Sequence, residues 1–214
     1  MMRVLYLHGF ASSSQSSKAA FFRTRFADHG IAVDVPDFNE PDFSTLTISR
    51  MLAQVRRGID GAPGGPVVLI GSSLGGFVAV QSAVENPGRI DRLILLAPAL
   101  DFSGNRVRDL GDRGLEEWRA TDTLNVFHYG YGRLVPVHYE LFADAQRYRP
   151  LEAGVDLPIQ VFQGRKDASV DPDLVERWAA ARPGVELHML EDDHQLHASL
   201  PYIWNETARF LGLR

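Results

Sequence analysis

The chain has 214 residues, with 27 acidic and 22 basic side chains and a formal net charge of −5. A chain of this length is expected to form about one domain, so we expect residues 1–214 to fold as a single domain. Its acidic balance offers no excess of positive charge for a phosphate backbone, so nucleic acid is not an expected partner. Cysteine is absent, which excludes disulfides, zinc–thiolate sites and cysteine nucleophiles.

The N-terminal sequence and the hydropathy pattern restrict the expected location. One arginine precedes a very short apolar run, whereas a signal peptide requires a longer apolar stretch and a cleavage site of small residues. No segment approaches the roughly 20 apolar residues that a membrane-spanning helix needs. The lack of cysteine fits a reducing compartment. We therefore expect a cytoplasmic protein without a membrane span.

Six short apolar segments predict the strands of a sheet. They are rich in branched residues and suit strands buried on both faces, and they cover residues 3–8, 32–37, 66–71, 92–97, 158–163 and 185–191. Segments of helical character lie between and after them, at residues 17–29, 45–59, 75–85, 172–181 and 196–213. The alternation predicts an α/β protein with a mainly parallel sheet flanked by helices. In such sheets, sites form at the carboxyl ends of the strands.

One long segment interrupts this alternation. Residues 101–150 separate two predicted strands, although connections in such folds usually have about 2–6 residues. The segment is enriched in aromatic residues and contains several glycines. An insertion of this length over the active edge of the sheet is typical of a lid. We therefore expect a helical lid at residues 101–150, with a helix pair that only packs on the sheet as the alternative.

The sequence around Ser73 has the pattern expected of a nucleophilic serine. A predicted strand leads into Gly71-Ser72-Ser73-Leu74-Gly75, and a predicted helix follows. This G-x-S-x-G spacing sets the serine on a sharp strand-to-helix turn, where its hydroxyl stands clear of the sheet, and the glycines avoid clashes in the turn. No lysine follows, which excludes a phosphate-binding P-loop. Ser72 is expected to be a packing residue.

A serine hydroxyl needs a base in contact with it, and in this chain order an acid and then a histidine should follow. Asp167 lies in the loop after the predicted strand at residues 158–163 and is the predicted acid. Asp171 is the alternative, although its position before a proline is typical of a helix N-cap. Asp192 and Asp193 are interpreted as exposed turn residues, with Asp192 a further alternative.

His194 follows the last predicted strand and is the predicted base. His197 is the alternative, but we expect it to lie inside the helix predicted at residues 196–213. The spacing of His194, His197 and Asp193 also resembles that of a metal site. Two histidines three residues apart beside one carboxylate are weak evidence for one, so we expect no metal site.

Attack on a carbonyl creates an oxyanion, which two backbone amides usually hold. One amide should belong to Leu74, the residue after the nucleophile. The other is predicted to be that of Phe10, in the loop after the first strand, where Gly9 permits a sharp turn. His8 is expected to order this loop rather than to perform catalysis.

Together these motifs resemble the α/β-hydrolase superfamily. The resemblance rests on His8-Gly9-Phe10, the turn at residues 71–76, Asp167 and His194, and it covers nearly the whole chain. The opening segment LYLHGFASSSQSSKA is similar, more narrowly, to that of small bacterial YqiA-like esterases, and the usual N-terminal hairpin is expected to be missing. The resemblance implies acyl transfer to water through an acyl-enzyme, without a cofactor, on carboxylic esters or acyl thioesters. The long aromatic insertion departs from the shortest members.

The sequence therefore predicts a serine hydrolase acting on a small-molecule acyl ester or thioester. Ser73 attacks, His194 accepts its proton, and Asp167 fixes the imidazole. The aromatic residues of the insertion predict a preference for apolar acyl groups. Two alternatives are another reaction on the same fold, such as C–C bond hydrolysis, and a non-catalytic binding protein.

Overall fold

The computed structural model describes residues 2–61 and 64–213 of the chain. The elements are, in chain order, β1 (Arg3–Leu7), α1 (Ser17–Ala27), β2 (Val33–Asp34), a 3₁₀ turn (Phe43–Thr45), α2 (Ile48–Asp60), β3 (Val67–Ser72), α3 (Leu74–Glu85), β4 (Ile90–Leu96), α4 (Phe102–Thr121), β5 (Thr123–His128), β6 (Arg133–His138), α5 (Glu140–Ala145), β7 (Ile159–Gly164), α6 (Pro172–Ala180), β8 (Val185–Leu190) and α7 (Leu200–Leu211). Across the described ranges, none of the helices is both long and apolar enough to cross a membrane.

The six predicted strands form one sheet in the order β2-β1-β3-β4-β7-β8, and every neighbouring pair is parallel. The predicted α/β fold with a mainly parallel sheet is therefore confirmed. Because parallel strands need crossover connections, helices lie between most of them and cover the sheet. The parallel direction also brings the loops after β1, β3, β7 and β8 to the same edge of the sheet, where the predicted site residues lie.

Alternation along the strands divides the core into two clusters, one on each face of the sheet. In β1, Val4 and Tyr6 belong to the cluster that α1 and α7 cover, whereas Leu5 and Leu7 belong to the cluster under α2 and α3. All four side chains are buried. A strand buried on both faces reads as a continuous apolar run, which is why these segments could be predicted from the sequence.

Helix α2 shows how the local sequence favours one of these covering elements. Its buried residues recur at helical spacing, so that one face packs on the core; they are Ile48, Met51, Leu52, Val55 and Ile59. At its start, the side chain of Thr47 accepts a hydrogen bond from the Arg50 amide and so caps the first turn.

The helical lid expected at residues 101–150 is helical only in part. The segment contains α4, kinked at Gly111, and α5, but between them β5 and β6 form an antiparallel hairpin. Exposed and more buried residues alternate along β5, a period that fits a strand with one face on the protein. The turn includes Gly132 with a φ of 64°. The Trp118 indole of α4 donates to the Val137 carbonyl of β6 at 3.0 Å, which fastens the helix to the hairpin.

The last helix begins later than predicted, at Leu200 rather than at residue 196. Leu196 has a φ of 56°, a left-handed conformation that a helix does not accommodate. Pro201 lies in the first turn of α7, where its missing N–H is tolerated. As a result His197 lies in the loop before the helix, and the expectation that it is helical is wrong.

Candidate active site

Ser73 lies at the turn between β3 and α3. Its backbone has a φ of 53° and a ψ of −118°, a conformation that is uncommon for a residue with a side chain. Such strained conformations cost about 1–3 kcal/mol each and persist where the surrounding structure enforces them. The enforced turn lifts the hydroxyl above the carboxyl edge of the sheet, at the N-terminus of α3.

The two glycines of the motif are required by close backbone approaches. A Cβ on Gly71 would lie 2.4 Å from the Gly75 carbonyl oxygen, and a Cβ on Gly75 would lie 2.0 Å from the Leu7 carbonyl oxygen. Real Cβ atoms essentially never approach backbone so closely. The G-x-S-x-G spacing therefore allows α3 to start directly against β1 and β3, with the serine in between.

His194 and Asp167 lie beside this turn in a line. The Nε2 atom of His194 is 3.1 Å from the Ser73 Oγ, and its Nδ1 atom is 2.8 Å from the Asp167 Oδ2. The Asp167 side chain is fully buried, and the His194 side chain is 17% exposed, on the side that faces the cleft. Three residues from separate loops thus form a continuous hydrogen-bonded chain.

The Asp167 carboxylate is held by further donors. Its Oδ1 accepts from the backbone amides of Ser169 (2.8 Å) and Val170 (2.9 Å), and its Oδ2 also accepts from Gln163 Nε2 at 2.9 Å. Burial by itself would raise the pKa of Asp167, but the hydrogen bonds and the neighbouring His194 outweigh it, so the pKa lies below the ordinary value. The carboxylate is therefore charged at neutral pH and able to stabilise an imidazolium.

The alternative acids and base have other partners. The Asp171 side chain accepts from the Asp173 amide at 3.0 Å and caps α6, as its position before the proline indicated. Asp192 accepts from the Ser199 amide at 2.9 Å. The Nε2 atom of His197 is 3.1 Å from the Ser17 hydroxyl. Asp171, Asp192 and His197 therefore contact partners outside the line formed by Ser73, His194 and Asp167.

The two amides predicted to hold an oxyanion lie beside Ser73. Phe10 and Leu74 both line the same cleft as the serine, and neither backbone N–H has a hydrogen-bond acceptor among the described residues. A Cβ on Gly9 would lie 3.1 Å from the Ser73 Cβ, so a glycine here lets the loop approach the serine. His8 is buried and bonds this loop to its surroundings: its Nε2 accepts from the Phe38 amide at 3.0 Å.

A cleft of about 940 Å³ opens over these residues. Its floor includes Ser73 and His194, and the loop before α1, together with the first residues of α1, contributes a polar wall that contains several serines. The insertion contributes a second wall, which is apolar at Phe102, Val126, Phe127 and Tyr129 and polar at Asn105 and Arg106. The insertion is fastened to the site loop, because the Tyr129 amide donates to the Ala11 carbonyl at 2.8 Å.

Sequence reasoning missed two residues of this site. Gln163, inside β7, was counted only as a strand residue, although it supports Asp167 through Nε2. Arg106 was not singled out at all, and it lines the cleft from α4. The available signal for Gln163 was a polar residue at the end of an apolar run in the sequence. No local pattern marks Arg106.

One group of potential metal ligands lies elsewhere in the described residues. Glu186, His188 and Glu206 bring ligand atoms within 4.8 Å of one another, but none of them lines the cleft. The Arg209 guanidinium contacts both carboxylates, so a cation already offsets part of their charge. Near Ser73, both ring nitrogens of His194 are engaged by Asp167 and Ser73, which leaves the imidazole no nitrogen for a metal.

A parallel sheet in this order, with the strand–turn–helix after its third strand, is the α/β-hydrolase fold, and known structures of that class superimpose on the chain. The mouse alpha/beta hydrolase domain-containing protein 10 has a TM-score of 0.82 at 20% identity, covering 98% of this chain and 89% of that one. Est1E from Butyrivibrio proteoclasticus has a TM-score of 0.78 at 18% identity, covering 98% and 86%. Within this class, the chain belongs to the uncharacterised protein family UPF0227, whose family model matches residues 3–210. The predicted resemblance to the superfamily is therefore confirmed.

Similarity to individual sequences is weaker. Lipase LipV of Mycobacterium tuberculosis is 32% identical over 116 residues, which are 51% of this chain and 42% of that protein. The mitochondrial palmitoyl-protein thioesterase ABHD10 of Bos taurus is 21% identical over 175 residues, which are 77% of this chain and 56% of that protein. The chain thus spans about half the length of the curated relatives it matches.

Proposed function

We propose that the chain is a serine hydrolase that cleaves carboxylic ester or acyl thioester bonds through an acyl-enzyme intermediate. The observation that carries the proposal is the line of contacts from the Ser73 Oγ to His194 (3.1 Å) and from His194 to Asp167 (2.8 Å). Its dimensions match those of a nucleophile, a general base and the acid that orients the base.

The chemistry follows from the proton positions that these contacts favour. Asp167 accepts a hydrogen bond from the protonated Nδ1 of His194, which leaves the Nε2 lone pair facing the serine hydroxyl. The Ser73 oxygen bonds to the carbonyl carbon while its proton moves to Nε2. The carbon–oxygen or carbon–sulfur bond of the leaving group then breaks, and the leaving group takes that proton. Water, activated by the same nitrogen, hydrolyses the acyl-enzyme and releases Ser73.

The amides of Phe10 and Leu74 are proposed to hold the oxyanion formed in each half of the reaction. Both lack another acceptor among the described residues, and both line the cleft at Ser73. Donors that are already oriented stabilise developing charge without reorganising, and the loss of one typically costs about 2.7–4 kcal/mol of barrier. The proposed mechanism requires no cofactor.

The proposed substrate class is inferred from the relatives and from the residues that line the cleft. A relative described as a lipase and one described as a palmitoyl-protein thioesterase support ester or thioester hydrolysis. The apolar wall formed by Phe102, Val126 and Phe127 supports an apolar acyl group. We propose that the insertion at residues 101–150 acts as a cap that shapes the acyl site.

The test compares the parent protein with Ser73→Ala and Ser82→Ala. Ser82 is a matched control, because it is buried in α3 away from the cleft and its hydroxyl has no hydrogen-bond partner among the described residues. A fluorophosphonate probe should label the parent and Ser82→Ala but not Ser73→Ala. On p-nitrophenyl esters and acyl thioesters of graded chain length, Ser73→Ala should lose about 10⁴-fold or more in kcat.

Three outcomes would contradict the proposal. Hydrolysis by Ser73→Ala at the parent rate would exclude Ser73 as the nucleophile. Turnover of ring-cleavage diketones without turnover of esters would indicate C–C hydrolysis on the same fold. A parent protein that takes no probe and turns over no ester would indicate a non-catalytic binding protein. If the rate did not depend on acyl length, only the proposed apolar acyl site would be contradicted, and the proposed hydrolysis would stand.

A further inference from the structure

The cleft has a charge opposite to that of the protein as a whole. The chain has a net charge of −5 and 27 acidic residues. Two basic residues, Lys18 and Arg106, line the cleft, whereas no aspartate or glutamate of residues 2–61 and 64–213 does. Charges of one sign in a cleft attract ligands of the other sign and raise their local concentration. The cleft therefore favours an anionic ligand.

Of the two cations, Lys18 is already engaged. Its side chain is buried, and its Nζ donates to the Gln195 carbonyl at 3.0 Å. Burial lowers the pKa of Lys18 to about 8, although the nearby charge of Asp167 opposes that shift. Lys18 thus holds the loop that carries His194, and its buried amine is the less accessible of the two cations.

Arg106 has donors to spare. One guanidinium nitrogen, Nη2, is 3.2 Å from the Asp109 carboxylate, which is half-exposed. The Nε atom is buried and has no hydrogen-bond partner among the described residues. Only 25% of the side chain is exposed, so solvent satisfies little of it. Burial lowers the pKa of Arg106, but a guanidinium stays charged at neutral pH.

The surroundings of Arg106 hold it at a defined place near the reacting centre. Its Cζ lies 5.6 Å from the ring centroid of Phe10 and 5.4 Å from that of Phe102, so two aromatic faces contact the cation. Phe10 is also the residue whose amide is proposed to hold the oxyanion. The guanidinium therefore contacts the side chain of the residue whose amide lies at the proposed reaction site.

We propose that the natural substrate carries a negatively charged oxyacid group, carboxylate or phosphate, and that Arg106 binds this group in the cleft. This inference rests on the proposed ester or thioester hydrolysis. A planar guanidinium pairs with two oxygens of either group, which fixes orientation as well as charge. The apolar wall beside Arg106 accommodates the part of the substrate that joins the anionic group to the scissile bond. Arg106 is thus a specificity-determining residue for the hydrolase.

The experiment measures a preference between matched substrates, which cancels differences in folded fraction between variants. The first arm compares the mono-p-nitrophenyl ester of adipic acid with the same ester whose free carboxylate is methylated. The second arm compares an acyl-coenzyme A with the thioester of the same acyl group and N-acetylcysteamine, which lacks phosphate. The variants are Arg106→Gln, Arg106→Lys and the control Arg113→Gln, an exposed arginine of the same helix.

We expect the parent protein to prefer the anionic substrate in at least one arm by about 10- to 100-fold in kcat/KM, the range of a charge-assisted hydrogen bond. Arg106→Gln should remove this preference through KM, Arg106→Lys should keep part of it, and Arg113→Gln should keep all of it. The arm that shows the preference identifies the group as carboxylate or phosphate.

Two results would overturn the inference while the proposed function stands. One is equal hydrolysis of the charged and neutral substrates by the parent in both arms. The other is an Arg106→Gln variant that loses activity equally on all four substrates, which would assign Arg106 to packing against Phe10 and Phe102. If the parent hydrolyses none of the four substrates and the fluorophosphonate does not label Ser73, the proposed function itself is wrong, and the inference with it.

Discussion

Gln163 donates a hydrogen bond of 2.9 Å from its Nε2 to the Oδ2 of Asp167, the oxygen that also lies 2.8 Å from His194 Nδ1. Gln163 is fully buried within β7, so the sheet itself supports the carboxylate from behind. The amides of Ser169 and Val170 hold the other oxygen. A carboxylate held by this many donors has one orientation. Its hydrogen bond to Nδ1 therefore fixes the orientation of the His194 imidazole.

This arrangement predicts different results for the two candidate acids. Asp167→Asn should lower kcat by about 10⁴-fold, because the amide favours the wrong tautomer of His194. Asp171→Asn should leave kcat unchanged, because asparagine caps a helix as well as aspartate does. Ester hydrolysis by both variants, with circular dichroism as the folding control, checks this. Equal losses in the two variants would contradict the assignment of Asp167.

The two candidate bases are separated in the same way. His194→Gln should remove about 10⁴-fold or more of kcat, because no other described side chain lies between Ser73 and Asp167 to accept the proton. His197→Gln should stay within about threefold of the parent, since His197 contacts Ser17 instead. Steady-state kinetics on one p-nitrophenyl ester decides between them. A large loss in kcat for His197→Gln would show that the base is assigned to the wrong histidine.

The turn at Ser73 depends on the missing side chain of Gly75. Gly75→Ala should lower the free energy of unfolding by about 3 kcal/mol or more, because its Cβ would lie 2.0 Å from the Leu7 carbonyl oxygen and backbone must shift. Gly154→Ala is the control, since nothing lies within 4 Å of a Cβ there, and it should change stability by less than about 0.5 kcal/mol. Urea denaturation measures both. A Gly75→Ala variant as stable as the control would contradict the described packing.

Lys18 predicts a pH dependence of stability at alkaline pH. Its pKa of about 8 in the folded protein lies below the ordinary value of 10.5 for a lysine, so between these values the unfolded chain binds more protons than the folded one. Stability therefore rises with pH across this window, by roughly 2 kcal/mol between pH 7 and pH 10. Lys18→Met should lack this rise.

Lys166→Met is the control for that measurement, because Lys166 is 67% exposed and pairs only at the surface, with Glu191. Its profile of unfolding free energy against pH should run parallel to that of the parent protein. If Lys18→Met also runs parallel to the parent, the amine of Lys18 does not titrate in this window.

Much of the site could be predicted because its signals are local. The G-x-S-x-G motif is a pattern of five consecutive residues around Ser73, even though one of its glycines makes room for Leu7 of β1. The Asp171 cap reflects the first turn of one helix. The four inner strands β1, β3, β4 and β7 could be predicted because burial on both faces leaves a nearly continuous apolar run in the sequence. The edge strands β2 and β8 are only partly buried, and along the segment of β8 apolar and polar residues alternate more. The parallel order then implies which loops share an edge of the sheet.

Other features depended on contacts between distant parts of the chain. The hairpin of β5 and β6 was missed because its outer face is exposed and carries large apolar residues such as Phe127 and Leu134, which weakens the alternation. The start of α7 was misjudged because the left-handed conformation of Leu196 arises from the loop around His194 rather than from its own residue type.

The amino-acid sequence by itself determined the α/β class and the sharp turn at Ser73, and it pointed to Asp167 and His194 as the candidate acid and base. Apolar runs, the G-x-S-x-G spacing and the positions that follow strands are each visible within a short stretch of chain. Only the tertiary structure decided that Gln163 supports Asp167, that His197 bonds to Ser17, and that Arg106 stands over Phe10 in a cleft lined by no carboxylate of the described residues. Gln163 lies only four residues before Asp167, but the sequence does not show that its side chain meets the carboxylate. The contact between Ser17 and His197 joins residues 180 positions apart, and Arg106 and Phe10 belong to distant elements, so no local spacing records these two contacts.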